Sequence, residues 1–201
     1  MRLVVLLSGS GSNFQTLIDA VAAGELDLEI VAAGSDVPDA YGLTRARDAG
    51  IETFVIDYHA HESRAAWTTA LTKAVADYAP DLVLSSGLMR IVGEEFITAF
   101  AGRFINTHPA LLPAFPGAHA VTDAMAAGVV VTGTTLHIVD AGVDTGPILD
   151  QRCVSIAPDD DAAALHEKIK VAERTMLLEN LARLAAGTTP EDLIPPYAKP
   201  R

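Results

Sequence analysis

The sequence is poor in cysteine and in basic residues, and it has no long apolar run. One of its 201 residues is cysteine, and 14 Lys and Arg against 26 Asp and Glu give a formal net charge of −12. Because the single Cys153 excludes an internal disulfide, we expect a reducing, cytoplasmic environment. The acidic balance argues against nucleic acid as a partner, since its phosphates require clustered Lys and Arg. Leu3–Leu7 is too short for a secretory signal or a membrane span, so we expect no membrane partner.

Half of the 201 residues are apolar, so the chain can bury a sizeable core, and we expect a single α/β domain. Apolar runs alternate with helix-period stretches, which predicts a mostly parallel twisted sheet with a Rossmann-like N-terminal half. The predicted strands are Leu3–Leu7, Glu29–Ala33, Thr53–Ile56, Leu82–Ser86, Arg103–Asn106, Gly133–Val139 and Ile148–Ile156. The predicted helices are Asn13–Ala23, Ala40–Ala49, His61–Tyr78 and Asp160–Ala186, with Ser12 and Asp39 as N-caps and Gly24, Gly50 and Gly187 as stops.

The C-terminal part departs from the β-α-β pattern. Only Asp140–Pro147 separates the last two strands, which is too short for a helical crossover and predicts an antiparallel hairpin. The long C-terminal helix then closes a single domain that we expect to span residues 1–187. Residues 188–201 carry four prolines and are expected to form an extended tail.

A glycine loop, Ser8–Asn13, follows the first strand and opens a helix. Its glycines let a ligand approach the backbone, and the N–H groups of the first helical turn attract an anion. A dinucleotide site with Asp36 as the ribose-binding acid is an alternative, but Phe14 stands where that fingerprint has its third glycine. The loop also lacks the Gly-Lys-Ser/Thr ending of a P-loop. A phosphate site and a tight turn without a ligand both remain open.

Two polar side chains lie at the end of the fifth predicted strand. Asn106 and His108 are two residues apart, so on an extended chain they project to the same face. An amide and an imidazole that converge could stabilise a developing oxyanion, and the prolines that follow predict a stiff loop, with a cis proline as one option. The alternative is a histidine that bonds backbone. Zinc at His59 and His61, or at His108 and His119, lacks a recognised ligand spacing, so we predict no metal.

The hairpin loop contains a further candidate, Asp144. Its glycines and aspartates are ordinary turn residues, which is the simplest interpretation. The functional interpretation requires Asp144 to reach His108, because a neighbouring carboxylate orients an imidazole and favours its protonated form. Spacing along the chain leaves both interpretations open.

Together these segments resemble the folate-dependent glycinamide ribonucleotide formyltransferase family of purine synthesis, over nearly the whole chain. The resemblance lies in Val4–Asn13, Ala79–Val83, Gly87–Ile91, Asn106–Pro113 and Asp144–Pro147. It implies transfer of a formyl group from 10-formyltetrahydrofolate, a co-substrate, to the amine of 5-phosphoribosylglycinamide by a monomer or homodimer. A formyltetrahydrofolate hydrolase, which delivers the group to water, is the alternative. A non-catalytic nucleotide-binding module would leave Asn106, His108 and Asp144 unexplained.

The resemblance also implies a role for individual residues. Catalysis is expected from Asn106, His108 and Asp144, and support of the site from His119 and His137. Substrate phosphate and ribose are expected to bind Gly11, Ser12, Asn13, Lys170 and Glu173. Folate is expected to contact Arg64, Met89, Arg90, Ile91, Val92, Asn106, Asp140, Ala141, Gly142, Val143 and Asp144. Ser10, Trp67 and Thr107 stand where the family often has Asn, Tyr and Ile, but none removes a group that the chemistry requires.

Overall fold

The computed structural model describes residues 1–198, and the chain divides into two compact units, Met1–Ile105 and the residues from Asn106 onward. The described strands are β1 Arg2–Leu7, β2 Glu29–Ser35, β3 Thr53–Val55, β4 Leu82–Ser85, β5 Phe104–His108, β6 Val131–Ile138 and β7 Ile148–Ser155. The α-helices are α1 Ser12–Ala22, α2 Tyr41–Asp48, α3 Arg64–Ala76, α4 Glu94–Ala99, α5 Ala120–Ala126, α6 Ala162–Ala185 and α7 Pro190–Leu193. The sheet order is β3-β2-β1-β4-β5-β6-β7.

The first unit is built on a parallel sheet with β1 at its centre. β1 pairs in parallel with β2 and with β4, and β2 pairs in parallel with β3. Leu3–Leu7 are fully buried, which explains why this strand is a continuous apolar run instead of an alternating one. The order β3-β2-β1-β4 confirms the predicted Rossmann-like N-terminal half.

The second unit contains the predicted antiparallel hairpin and the long C-terminal helix, and both are confirmed. β6 pairs with β7 from Val131 opposite Ser155 to His137 opposite Ile148, with a register shift between Leu136 and His137. α6 begins after Asp161, whose side chain accepts a hydrogen bond from the Ala164 N–H. It ends before Gly187, whose φ of 100° is the left-handed conformation typical of a helix stop.

Several boundaries differ from the sequence predictions. β5 continues to His108 instead of ending at Asn106, and α2 has Ala40, not Asp39, as its N-cap. Ser12 is the first residue of α1, and Gly11, with φ 64°, occupies the cap position. The sequence does not predict α4 and α5, which have only six and seven residues.

The segment expected to be an extended tail contains the short helix α7. Thr189 and Asp192 form a capping box, and Pro190 occupies the first turn, where its missing N–H costs no hydrogen bond. Residues 199–201 lie outside the described residues. No helix within residues 1–198 is long and apolar enough to cross a membrane.

Candidate active site

The candidate site in the second unit is organised around the imidazole of His108, which is 4 % exposed at the end of β5. Its Nδ1 lies 3.3 Å from Oδ2 of Asp144, and its Nε2 lies 2.8 Å from the carbonyl oxygen of Phe115. The contact predicted between His108 and Asp144 is therefore present. Because both ring nitrogens face oxygens that can only accept, a ring that carries a proton on each nitrogen satisfies both contacts.

Both acceptors come from loops with an unusual backbone. Asp144 and Phe115 have φ values of 55° and 54°, in the left-handed region that non-glycine residues rarely adopt. The Asp144 carboxylate also accepts a hydrogen bond from the Gly117 N–H at 2.8 Å, so it links the two loops. The proline-rich loop contains a cis peptide bond at Pro113. The sequence indicates a turn around Asp144, but nothing in it identifies the carbonyl of Phe115 as a histidine partner.

A second histidine, His137 on β6, completes the polar cluster and is 2 % exposed. Its Nε2 lies 3.2 Å from Nδ2 of Asn106 and 3.6 Å from Oδ1 of Asp144, and its Nδ1 lies 3.0 Å from the Ile138 carbonyl oxygen. Burial lowers the pKa of His137 below its ordinary value, although the Ile138 carbonyl and the Asp144 carboxylate act in the opposite direction. The structure thus brings together Asn106, His108, His137 and Asp144.

Thr107, between Asn106 and His108, projects to the other side of β5. Its hydroxyl donates a hydrogen bond to Oε1 of Glu173, a buried residue of α6. Lys170, one turn earlier on the helix, pairs instead with Glu167 at 2.7 Å. Of the two α6 residues expected to bind substrate, Glu173 is thus bonded to β5 through Thr107, whereas Lys170 is paired within the helix.

The glycine loop of the first unit is held by α2. The Gly42 N–H donates to the Gly9 carbonyl at 3.0 Å, and Arg45 donates from Nε to the Ser10 carbonyl and from Nη1 to Oε1 of Gln15, each at 2.9 Å. Gly11 must be glycine, because a Cβ there would lie 2.7 Å from Cα of Gly42 and φ is 64°. The cap residue of α1 is Gly11, which has no side chain to bond the first N–H groups of the helix.

Asp36 has a structural environment that does not suit a ribose ligand. Its carboxylate is buried and accepts hydrogen bonds from the Ser8 hydroxyl and from Nε of Arg90, the latter at 2.7 Å. Ser8 also accepts from the Met89 N–H at 2.8 Å, and the Arg90 guanidinium lies 4.2 Å from the centre of the Tyr58 ring. The ion pair with Asp36 explains why the charged Arg90 stands in an otherwise apolar segment. Because the Asp36 carboxylate is already bonded, it gives no support to the dinucleotide site considered above.

Most of the other residues expected at the site are exposed. Met89 and Ile91 are solvent-exposed, Val92 is buried, and Arg64 is the exposed first residue of α3. His119 is exposed at the start of α5, and its side chain makes no hydrogen bond to the four-residue cluster in the described structure. In the hairpin loop, Oδ1 of Asp140 accepts from the Gly142 N–H and from the Thr145 hydroxyl, which fixes the turn that precedes Asp144.

The second unit has an open cavity of about 210 Å³ beside this cluster. Its walls are largely apolar and consist of Leu112, Pro113, Pro116, Val143, Asp144, Thr145, Gly146 and Ile148. Across residues 1–198, no group of three or more His, Cys, Asp or Glu is arranged to hold a metal ion. The arrangement offers hydrogen-bond donors and a carboxylate at an apolar cleft, which suits stabilisation of charge on a carbonyl oxygen.

Comparison with known proteins identifies the family. Residues 1–181 match the family described as formyl transferase. The phosphoribosylglycinamide formyltransferase of Mycobacterium tuberculosis (strain ATCC 25618 / H37Rv) is 51% identical over 184 residues, which cover 92% of this chain and 85% of that protein. Its counterpart from Escherichia coli (strain K12) is 38% identical over 176 residues, 88% of this chain and 83% of that protein.

A solved structure agrees with the sequence relatives. The crystal structure of glycinamide ribonucleotide transformylase 1 from Symbiobacterium toebii superposes with a TM-score of 0.90 at 41% identity, covering 93% of this chain and 88% of that chain. The matches in sequence and in fold extend over most of the chain. The chain therefore belongs to the formyl transferase family and, within it, to the phosphoribosylglycinamide formyltransferases.

Proposed function

We propose that this protein transfers the formyl group of 10-formyltetrahydrofolate to the amine of 5-phosphoribosylglycinamide, a step of de novo purine biosynthesis. The observation that carries the proposal is the cluster around His108, whose Nδ1 lies 3.3 Å from the Asp144 carboxylate. Asn106 bonds to His137, and Nε2 of His137 lies 3.6 Å from the same carboxylate. Family membership supports the same reaction, since the relatives named above carry it in their names.

The reaction is an acyl transfer between two nitrogens. The amine attacks the formyl carbon, the carbonyl electron pair moves onto oxygen, and collapse of the tetrahedral intermediate breaks the bond from carbon to N10 of the folate. The proton that leaves the amine ends on N10, and a bound water is a suitable carrier. The folate supplies the activated formyl group, so the chain needs no nucleophile of its own.

The protein's contribution is to stabilise the negative oxygen of the intermediate. Asn106 and protonated His108 donate hydrogen bonds to it, and Asp144 holds the imidazole in place and in its charged form. The Nε2–H of His108, which the Phe115 carbonyl accepts in this structure, is the donor that the oxyanion would take over. Donors in unliganded enzymes often tighten onto their target only when the substrate binds.

The remaining site residues are proposed to bind the two substrates. Gly11, Ser12 and Asn13 form an anion site at the start of α1 for the phosphate, Lys170 contributes to phosphate binding, and Glu173 contacts the ribose. Folate contacts come from Arg64, Met89–Val92, Asn106 and Asp140–Asp144, and His119 supports the site. The cavity beside Asp144, at about 210 Å³, is smaller than the roughly 300 Å³ of drug-sized ligand pockets, so we assign to it one ring system of the folate and not the whole molecule.

The wider setting is also part of the proposal. Residues 1–187 form the catalytic domain, the protein works in the cytoplasm as a monomer or homodimer, and the reaction needs no metal. The free thiol of Cys153, exposed on β7, is compatible with a reducing compartment.

The decisive assay supplies 10-formyltetrahydrofolate with and without the ribose-glycinamide acceptor. We expect tetrahydrofolate to form only when the acceptor is present, in equal amount with the formylated product. Release of formate without the acceptor would identify a hydrolase. Absence of deformylation in both reactions would identify a binding module.

His108→Ala tests the mechanism. Loss of one oxyanion donor lowers kcat by about a hundredfold to a thousandfold, and we expect that loss with the KM for folate little changed. His166→Ala, on the exposed face of α6, is the matched control and should keep wild-type kcat. Turnover of His108→Ala close to that of the control would remove the imidazole from the mechanism.

A further inference from the structure

The proposed oxyanion donor Asn106 has an amide with two chemically different ends. Only the NH₂ end donates, and rotation of the amide by half a turn would place its carbonyl oxygen there instead. A productive site therefore needs a neighbour that distinguishes the two ends. The nearest ring nitrogen to the Asn106 amide is Nε2 of His137, at 3.2 Å.

The proton position on His137 follows from its other nitrogen. Nδ1 lies 3.0 Å from the Ile138 carbonyl oxygen, which can only accept, so Nδ1 carries the proton. In a neutral ring Nε2 then has a free lone pair and accepts. The 3.6 Å between Nε2 and Oδ1 of Asp144 agrees with this assignment, because two acceptors do not form a hydrogen bond.

The surroundings of His137 hold the ring in this orientation. The side chain is 2 % exposed, and it lies at the point where the register of β6 against β7 skips Leu149. Such shifts redirect side chains and occur often beside active sites. The ring therefore has a fixed donor side toward Ile138 and a fixed acceptor side toward Asn106.

We propose that His137 is a positioning residue that selects the orientation of the Asn106 amide by accepting one of its two N–H groups. This inference rests on the proposed function, because it explains how Asn106 presents its second N–H to the reacting carbonyl. With the amide reversed, its oxygen would face the lone pair of Nε2, and Asn106 would no longer offer a donor to the oxyanion, leaving only that of His108.

Two substitutions separate this role from simple packing. In His137→Gln the new side-chain amide would end near the position of Nε2, whereas in His137→Asn it would end near that of Nδ1. The glutamine variant therefore keeps an acceptor for Asn106, and the asparagine variant keeps only the contact with Ile138. We expect kcat within about threefold of wild type for His137→Gln and a loss of about tenfold for His137→Asn, less than the hundredfold or more for removal of a donor.

The outcome that overturns the inference is equal kcat for the two variants, whether both fall or neither does. A double variant, His137→Asn with Asn106→Ala, should be no slower than Asn106→Ala alone, because the orientation of an absent amide cannot matter. A further loss in the double variant would contradict the positioning role.

A spectroscopic measurement decides the tautomer without any activity. Nitrogen-15 NMR of the wild-type protein with labelled histidine distinguishes a protonated ring nitrogen from an unprotonated one, and we expect Nδ1 of His137 protonated and Nε2 not. Protonated Nε2 would overturn the inference even in an active enzyme. If the wild-type protein showed no formyl transfer, the proposed function would be wrong. The NMR measurement of the His137 tautomer would still test whether His137 orients the Asn106 amide.

Discussion

At the scale of single residues, the site depends on two strained positions that flank one histidine. Phe115 and Asp144 both have left-handed backbones, which cost a residue such as phenylalanine about 1–2 kcal/mol and are more accessible to aspartate. Each directs an oxygen at one nitrogen of His108. Strain of this kind persists where the surrounding structure holds it in place, and here it fixes the imidazole between two acceptors.

Asp144→Asn tests the charge of this arrangement without disturbing the backbone, because asparagine tolerates the left-handed conformation as well as aspartate does. We expect kcat to fall by at least about a hundredfold, since the imidazolium loses its counter-charge, while circular dichroism stays that of the wild type. The measurement is steady-state kinetics beside Asp159→Asn, an exposed carboxylate in the turn before α6. Equal rates for the two variants would contradict the charge pairing.

The sequence motif and the resemblance together identify Asn106, His108 and Asp144 as residues to examine, and the structure brings them into one cluster. The hydrogen bond from Asn106 to His137 could not be read from the chain, because it depends on which strands are neighbours and on a register shift in β6 and β7. The Phe115 carbonyl was also beyond prediction, since a phenylalanine carries no sequence signal for a left-handed backbone.

At the scale of elements, β6 secures the segment that follows β5. The hydroxyl of Thr135 donates to the Ala110 carbonyl at 2.7 Å and accepts from the Leu112 N–H at 3.0 Å. Gln151 on β7 adds a hydrogen bond to the same hydroxyl and one to the Leu112 carbonyl, both at 2.9 Å. These contacts hold the beginning of the proline loop against the hairpin.

Thr135→Val should therefore destabilise the protein. The change keeps the shape but leaves the Leu112 N–H and the Ala110 carbonyl buried without this partner, at about 1–3 kcal/mol for each group. We expect the free energy of unfolding, measured by urea titration, to fall by about 2–6 kcal/mol.

Thr132→Val on the same strand is the matched control. Its buried hydroxyl has no hydrogen-bond partner in the described part of the chain, so its removal should be neutral or stabilising. The same loss of stability in both valine variants would show that the bonds of Thr135 contribute nothing specific.

Element types were predictable where the hydrophobic pattern was long. The seven strands and the four longer helices follow from period and length, and the short loop between β6 and β7 indicates their antiparallel pairing. α4 and α5 escaped prediction because six or seven residues hold fewer than two full turns of the hydrophobic pattern. The extension of β5 to His108 was missed because its last residues are polar.

At the scale of the whole molecule, the buried His137 couples stability to pH. Because burial lowers its pKa in the folded state, the unfolded chain binds more protons just below pH 6.5, the ordinary value for histidine. Stability contributed by the neutral ring is complete above that pH and is lost as the pH falls toward the lowered native pKa. Asp144, His108 and Asp140 are the charged or titratable groups that act on the ring.

We therefore expect the free energy of unfolding of the wild type to decline as the pH falls below about 6.5, with a contribution from His137 of at most about 1.4 kcal/mol per pH unit. His137→Gln should show a shallower decline over the same range. Partial desolvation on the helix surface and the nearby charge of Lys170 also lower the pKa of the exposed His166, but that effect is common to both proteins and cancels in the comparison. Parallel pH profiles would mean that the proton on His137 does not contribute to stability.

The ion pair between Asp36 and Arg90 has a consequence for the behaviour of the enzyme in salt. The side chain of Asp36 is only 1% exposed and that of Arg90 is 29% exposed. Dissolved ions therefore screen the attraction between the two charges only weakly. Exposed pairs such as Arg2 with Glu29, at 45% and 67%, are screened when the ionic strength rises. The loop that carries Met89 and Arg90 should thus keep its position in concentrated salt, where the exposed pair of Arg2 and Glu29 in the same unit is screened.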